Sequence, residues 1–180
     1  MTALYGTPYV ARCRKKAPQV TDPSKVRLAF LQPDIPQNLG TSIRLAACLG
    51  VAVDIIEPCG FPLTDKALRR AVMDYGERTE VCRHDGWRSF CDSRGKTNSR
   101  LVLFSTSGSI CLQDFRFLAD DCLLFGRESA GAPDNVHVAS HAVVRIPLAS
   151  DTRSLNVAMA AGIALWEALR QTGGLPAESA

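Results

Sequence analysis

Past residue 25 the chain alternates between short apolar runs and stretches with helical spacing. Residues 26–31 form a strand-like run. Residues 39–49 carry Leu39, Ile43, Ala46 and Ala47 at helical intervals and close on Gly50. A second strand is predicted at 51–56, ended by Pro58 and Gly60, followed by a charged helix near 65–72. Residues 79–82 suggest a third strand and 87–91 a short helix. Residues 101–105 and 122–125 are unbroken apolar runs, the pattern of strands buried on both faces. A further strand is expected at 143–146 and a long helix at 154–171, with 173–180 reading as a frayed tail.

Strands separated by helical segments predict an α/β fold with a mainly parallel sheet flanked by helices. Ligands in such sheets bind beyond the carboxyl ends of the strands, so the loops after strands are where chemistry belongs. The chain has 180 residues, 46% hydrophobic and 22% charged, with net charge +3. That composition suits one compact domain and argues against disorder. The longest apolar stretch, 157–166, is half the length a bilayer needs, and 4–10 is broken by Gly6 and Pro8, so neither a membrane span nor a secretory signal is expected.

Charge and cysteines refine this picture. Six of the 21 basic residues (Arg12, Arg14, Lys15, Lys16, Lys25 and Arg27) lie in the first 27 positions, against one acid, Asp22. Residues 1–25 therefore read as a basic extension, 26–172 as the folded domain and 173–180 as the tail. The extension is a solvated arm or a grip on a polyanion. Seven scattered cysteines without a Cys-x-x-Cys fit a reducing cytoplasm, and those in apolar runs, Cys48 and Cys122, behave as small hydrophobes. Cys82, His84 and Cys91 match no standard zinc framework, so no metal is expected.

Dinucleotide, phosphate-loop and nucleophile-elbow motifs are absent. His84 follows a strand, and His137 and His141 flank a loop; each is an acid–base candidate or a plain surface imidazole. Three other segments stand out. In Gln32–Arg44 a strand ends in a Pro-stiffened turn, Asn38 stands at an expected helix N-cap, Gly40 permits close approach, and Arg44 shares Gly40's face. That helix start either binds an anion or is merely capped. In Leu123–Pro133 a buried strand runs into Gly126, Arg127 and Glu128, then Gly131 and Pro133. This is a ligand-hugging loop or an ordinary turn with Pro133 opening a helix. In Arg145–Trp166 a polar cluster, Ser150 to Asn156, leads into a helix apolar on nearly every side, so the cluster is expected to enter a dry core and need partners.

Asn38-x-Gly40-x-x-x-Arg44, Phe125-Gly126-x-Glu128-x-x-Gly131-x-Pro133 and Ile146-Pro147 with Ser154-Leu155-Asn156-Val157 together resemble the three ordered motifs of the SPOUT class of S-adenosylmethionine-dependent RNA methyltransferases. Ile55-Ile56-Glu57-Pro58-x-Gly60-Phe61, Asp65-Lys66-x-Leu68-Arg69-Arg70-Ala71 and Asp74-Tyr75 look like the subgroup that methylates the tRNA wobble ribose. The resemblance spans about residues 26–172, and the basic extension departs from it.

The resemblance implies a C-terminal deep trefoil knot, a homodimer, S-adenosylmethionine as cofactor, and the tRNA anticodon stem-loop as substrate partner. It places Phe104, Gly126, Ile146, Ser154, Leu155 and Asn156 at the cofactor, and Arg44, Asn38 and Ser154 at the reacting ribose. Arg44 is read as a bidentate phosphate clamp rather than a base, because a guanidinium keeps its proton. Gly40, Lys66, Arg69, Arg70, Glu128 and Arg153 are expected on the RNA side, with Glu128 pairing Arg44 or Arg153. Tyr75 either stacks on an anticodon base or packs in the core. The alternatives are 2′-O-methylation at another tRNA or rRNA position, or an RNA-binding module of the same fold without catalysis.

Overall fold

The computed structural model describes residues 26–64, 79–95 and 99–177. Among these, seven strands form one sheet in the order β3-β2-β1-β6-β4-β7-β5. They are β1 (Arg27–Leu31), β2 (Ala52–Ile56), β3 (Val81–His84), β4 (Leu101–Phe104), β5 (Ile110–Cys111), β6 (Cys122–Phe125) and β7 (Ala142–Arg145). Every pairing is parallel. The helices are α1 (Pro36–Leu49), α2 (Trp87–Arg94), α3 (Asp134–Ala139) and α4 (Val157–Thr172), with a 3-10 turn at Leu112–Asp114.

The two unbroken apolar runs, β4 and β6, lie inside the sheet and are buried at every position. Alternation along the strands divides the core in two. Leu28, Phe30, Val53, Ile55, Val102, Phe104, Leu123 and Phe125 face α1 and α4, while Ala29, Leu31, Ile56, Leu101, Leu103 and Leu124 face Phe90 of α2 and Val136 of α3. Buried Ala158, Ala161, Ala164 and Ala168 give α4 a small-residue face that packs closely against the core. Phe30, Phe125 and Phe104 share one register row. Their rings stack at centroid distances of 5.6 and 5.1 Å.

Several expected boundaries move. Helix α1 starts at Pro36, whose fixed φ suits a first helical position, so the N-cap is Ile35 and Asn38 sits inside the first turn. Helix α4 starts at Val157 with Asn156 as its cap, leaving Ser154 and Leu155 in the preceding loop. The polar stretch 147–156 is exposed rather than entering a dry core, because it covers the ends of the strands. Cys48 is exposed on α1, whereas Cys122 is fully buried. The tail is anchored as far as Leu175, which packs on the core beyond a left-handed Gly173. The basic extension, Lys66, Arg69, Arg70 and Tyr75 lie outside the described residues. No helix among the described residues is long and apolar enough to cross a membrane.

Charge is also built into the sheet, at the strands remote from β4 and β7. Asp54 of β2 receives Arg27 Nε at 2.8 Å and Nη2 at 3.2 Å, and lies 2.8 Å from His84 Nε2. Burial alone would raise the Asp54 carboxyl, but the His84 hydrogen bond and the Arg27 charge outweigh it and hold it below the usual carboxylate range. Its stabilising contribution is therefore complete above the ordinary carboxyl pKa and lost as pH falls below it. Arg27, counted with the basic extension by charge, is thus a structural residue. Asp54→Ala takes from His84 its carboxylate and leaves Arg27 only the longer Glu80 ion pair at 3.5 Å, and should cost about 3 kcal/mol of folding stability, measured by chemical denaturation at pH 7.

Candidate active site

Four loops leave the carboxyl ends of neighbouring strands β1, β6, β4 and β7. Three of them, after β4, β6 and β7, wall one cleft of about 680 Å³, and the loop after β1 adds Ile35 and Asn38. Its lining includes Phe104, Gly126, Glu128, Ile146, Arg153, Ser154, Leu155 and Asn156, all expected at the site from sequence. Phe104 and Phe125, two of the three stacked rings, are among its lining residues. Gly40 and Arg44 are not among the lining residues; Arg44 is exposed further along α1.

A hydrogen-bond chain ties the three motifs together. The Asn156 side chain caps α4 by accepting the Ala158 and Met159 amides, and its Nδ2 donates to Asn38 Oδ1 at 2.8 Å. Asn38 Nδ2 then donates to Glu128 Oε1 at 3.1 Å, and Glu128 Oε2 accepts the Asp34 amide at 2.8 Å. Glu128, expected to pair with Arg44 or Arg153, instead accepts from Asn38 of the first motif and from Asp34 in the turn before it. Asn38, expected as a cap, instead links two loops. Both corrections follow from the helix starting three residues earlier, which turns Asn38 toward the sheet ends, where it is buried.

Backbone contacts set the loop shapes. Arg127 and Gly131 exchange amide hydrogen bonds of 3.0 and 2.8 Å, closing 126–131 into a small hairpin with Gly131 at φ +69°. A Cβ on Gly126 would stand 2.4 Å from the Gly131 carbonyl carbon, so only glycine fits. Gly108, in the short connection from β4 to β5, presses on β7 in the same way: its Cβ would lie 2.5 Å from the Val144 carbonyl carbon. Arg145 Nη1 fastens this connection by donating to the Gly108 carbonyl at 2.7 Å.

Sequence reading points to the turn at Ser105 but misses Asp34, Thr106, Ser107 and Leu148. Of these four, all but Asp34 line the cleft with Ser105, and His137, an open acid–base candidate in the sequence, lines it too from α3. The turn Pro33-Asp34-Ile35-Pro36 was a usable signal for Asp34, since aspartate in a Pro-flanked turn bonds nearby amides. His84 is buried against Asp54 and Phe90, and His141 Nδ1 accepts the Leu101 amide at 2.9 Å, so both serve the fold. Among the described residues no three His, Cys, Asp or Glu are grouped to hold a metal.

Comparison with known proteins decides the family. Residues 25–166 match the SpoU rRNA methylase family. The chain belongs to that family. It is 54% identical over 148 residues to a Beijerinckia indica protein named tRNA (cytidine(34)-2′-O)-methyltransferase, covering 82% of this chain and 92% of that one. A solved structure described as "Structural insights into the 2-OH methylation of C/U34 on tRNA" superposes with TM-score 0.78 at 39% identity, covering 84% of this chain and 99% of the other. An AdoMet-bound rRNA methyltransferase from Sinorhizobium meliloti superposes with TM-score 0.73 at 28% identity, covering 83% of this chain and 58% of that one. The parallel sheet expected from the sequence is thus the sheet of SpoU methyltransferases.

Gly126→Ala should cost about 1–3 kcal/mol of stability by overpacking the hairpin. It should also open the Arg127–Gly131 bridge, so that both amides exchange hydrogen faster than in the parent chain.

Proposed function

We propose that the chain transfers a methyl group from S-adenosylmethionine to the ribose 2′-hydroxyl of the wobble nucleotide, cytidine or uridine, of tRNA. The observation that carries this reading is the convergence of the loops after β4, β6 and β7 on one cleft, joined through Asn156, Asn38 and Glu128. The activity named for the Beijerinckia indica relative supports the choice of nucleotide.

Bound S-adenosylmethionine supplies an electrophilic methyl group on a sulfonium. The cleft's chemistry fits it. Phe104, Ile146, Leu148 and Leu155 offer apolar cover, and the hydroxyls of Ser105, Thr106, Ser107 and Ser154 offer hydrogen-bond partners. Glu128 is the one acid among the lining residues, and both its oxygens are engaged. Arg127 and Arg153 line the same cleft, so it carries no excess negative charge that would favour the charged ground state over a transition state losing charge.

In this reading Phe104, Gly126, Ile146, Ser154, Leu155 and Asn156 hold the cofactor, while Asn38 fixes the loops about it. Ser154, at the mouth, hydrogen-bonds near the reacting ribose. Arg44 clamps the adjacent phosphate with its planar fork, and the hydroxyl proton leaves to water. Gly40, Arg153, Lys66, Arg69 and Arg70 form the RNA-facing side. Positioning supplies most of the acceleration.

The same reading includes a homodimer, a trefoil knot and a cytoplasmic location. Met159, Ile163 and Trp166 form one stripe on α4 and are 61, 40 and 53% exposed, an apolar face suited to a second copy. The knot is supported by the course of the chain, since β7 pairs with both β4 and β5 beneath the short connection between them. Trp166→Glu should therefore shift the chain toward monomer in analytical ultracentrifugation.

The decisive experiment incubates the purified chain with labelled S-adenosylmethionine and total tRNA and maps the 2′-O-methyl groups. A modification at the wobble ribose is expected; labelling elsewhere on tRNA, or on rRNA alone, overturns the substrate assignment. Binding of RNA without binding of S-adenosylmethionine would favour the non-catalytic module. For the clamp, Arg44→Lys should lose most single-turnover rate with RNA binding kept, and Arg44→Ala should lose both.

A further inference from the structure

Asp34 is absent from the cleft lining, yet more of the site's hydrogen bonds meet at it than at any motif residue. Its Oδ1 accepts Arg127 Nη2 at 2.7 Å and Nε at 3.2 Å. Its Oδ2 accepts the Ser129 hydroxyl at 2.5 Å and the Ser129 amide at 3.2 Å. Its own amide donates to Glu128 Oε2 at 2.8 Å. Three consecutive residues of the 126–131 hairpin are thus held by one aspartate of the loop after β1.

The hairpin's own pattern shows what the grip does. Gly126, Arg127, Glu128, Ala130, Gly131 and Ala132 all line the cleft, and Ser129 does not. Ser129 is the point at which the hairpin is fastened from behind, and the residues on either side are presented forward. Because the Arg127–Gly131 bridge closes the hairpin, holding its tip orients the whole unit. Asp34 is itself braced from the third side. Gly60 donates its amide to the Pro33 carbonyl at 2.9 Å, and a Cβ on Gly60 would meet Asp34 Oδ1 at 2.9 Å.

We infer that Asp34 is a positioning residue for the methyl donor: it sets the shape of the cleft wall that holds S-adenosylmethionine without touching it. This rests on the function proposed above. Asp34, Arg127 and Ser129 all lie outside the residues by which the chain resembles the family. Hydrogen bonds from Arg127 and Ser129 hold the Asp34 carboxyl down at about 2, so the grip is charged and intact across neutral pH and loosens only as pH falls toward that value.

The test is calorimetric titration of S-adenosylmethionine into the full chain, its Asp34→Ala, Arg127→Ala and double variants, and Asp34→Asn. Thermal melts and steady-state kinetics accompany each. Asp34→Ala should weaken binding about tenfold, the scale of losing charge-assisted hydrogen bonds. The double variant should be no weaker than the weaker single, because both changes release the same hairpin. Asp34→Asn keeps an oxygen for Ser129 and should show a smaller loss, which keeps the test valid where Asp34→Ala fails to fold. KM for S-adenosylmethionine should rise while kcat at saturation holds. Parental affinity in the Asp34 variants, additive losses in the double, or a lowered melting temperature with unchanged affinity would each overturn the inference. Failure of the parent chain itself to bind S-adenosylmethionine would instead overturn the proposed function on which it stands.

Discussion

Strand β6 is apolar at all four positions and buried on both faces, so it settles between β1 and β4 in the one register that buries every side chain. That register aligns Phe30, Phe125 and Phe104 in a stacked row and brings the carboxyl ends of the three strands level. Slipping one residue would turn each aromatic ring to the opposite face and break the row. Because the strands are parallel, level ends mean that their following loops emerge side by side. The cleft is a consequence of that alignment, and everything chemical in the chain depends on it.

Given level ends, the loops still have to be locked together. Two kinds of contact do this. Backbone is pressed on backbone at Gly126 and Gly108, where no side chain fits. Amides and carboxylates then bridge between loops, from Asn156 through Asn38 and Glu128 to Asp34, and from Asp34 back to Arg127 and Ser129. The result pre-orients the cleft wall and holds Glu128, the one acid lining it among the described residues, in a lining shared with Arg127 and Arg153. A lining without excess negative charge suits a reaction in which a positive charge disappears.

A second set of polar contacts serves stability rather than the cleft. Asp54, Arg27 and His84 bind three strands remote from β4 and β7 into a buried charged cluster. The imidazole there, on the last residue of β3 rather than after a strand, is consumed by structure. The α4 helix divides by face: alanines pack inward, while Met159, Ile163 and Trp166 are exposed.

Much of this was legible in the order of residues. Continuous apolar runs at β4 and β6 identified interior parallel strands, because a strand covered on both faces has no polar side to show. The glycines at 126 and 131 and the polar run before α4 located the cleft, because loops after parallel strands gather at one edge. What the sequence could not determine was which polar groups meet. Asn38 looked like a cap until Pro36 was seen to begin the helix, and Glu128 looked like a partner for arginine until the register set it beside Asn38 and Asp34. The partners of Asp34 lie more than 90 positions away in the chain, so no local pattern marks it. Periodicity is a local consequence of covalent geometry and can be read residue by residue; long-range hydrogen bonds exist only once the sheet has chosen its strand order.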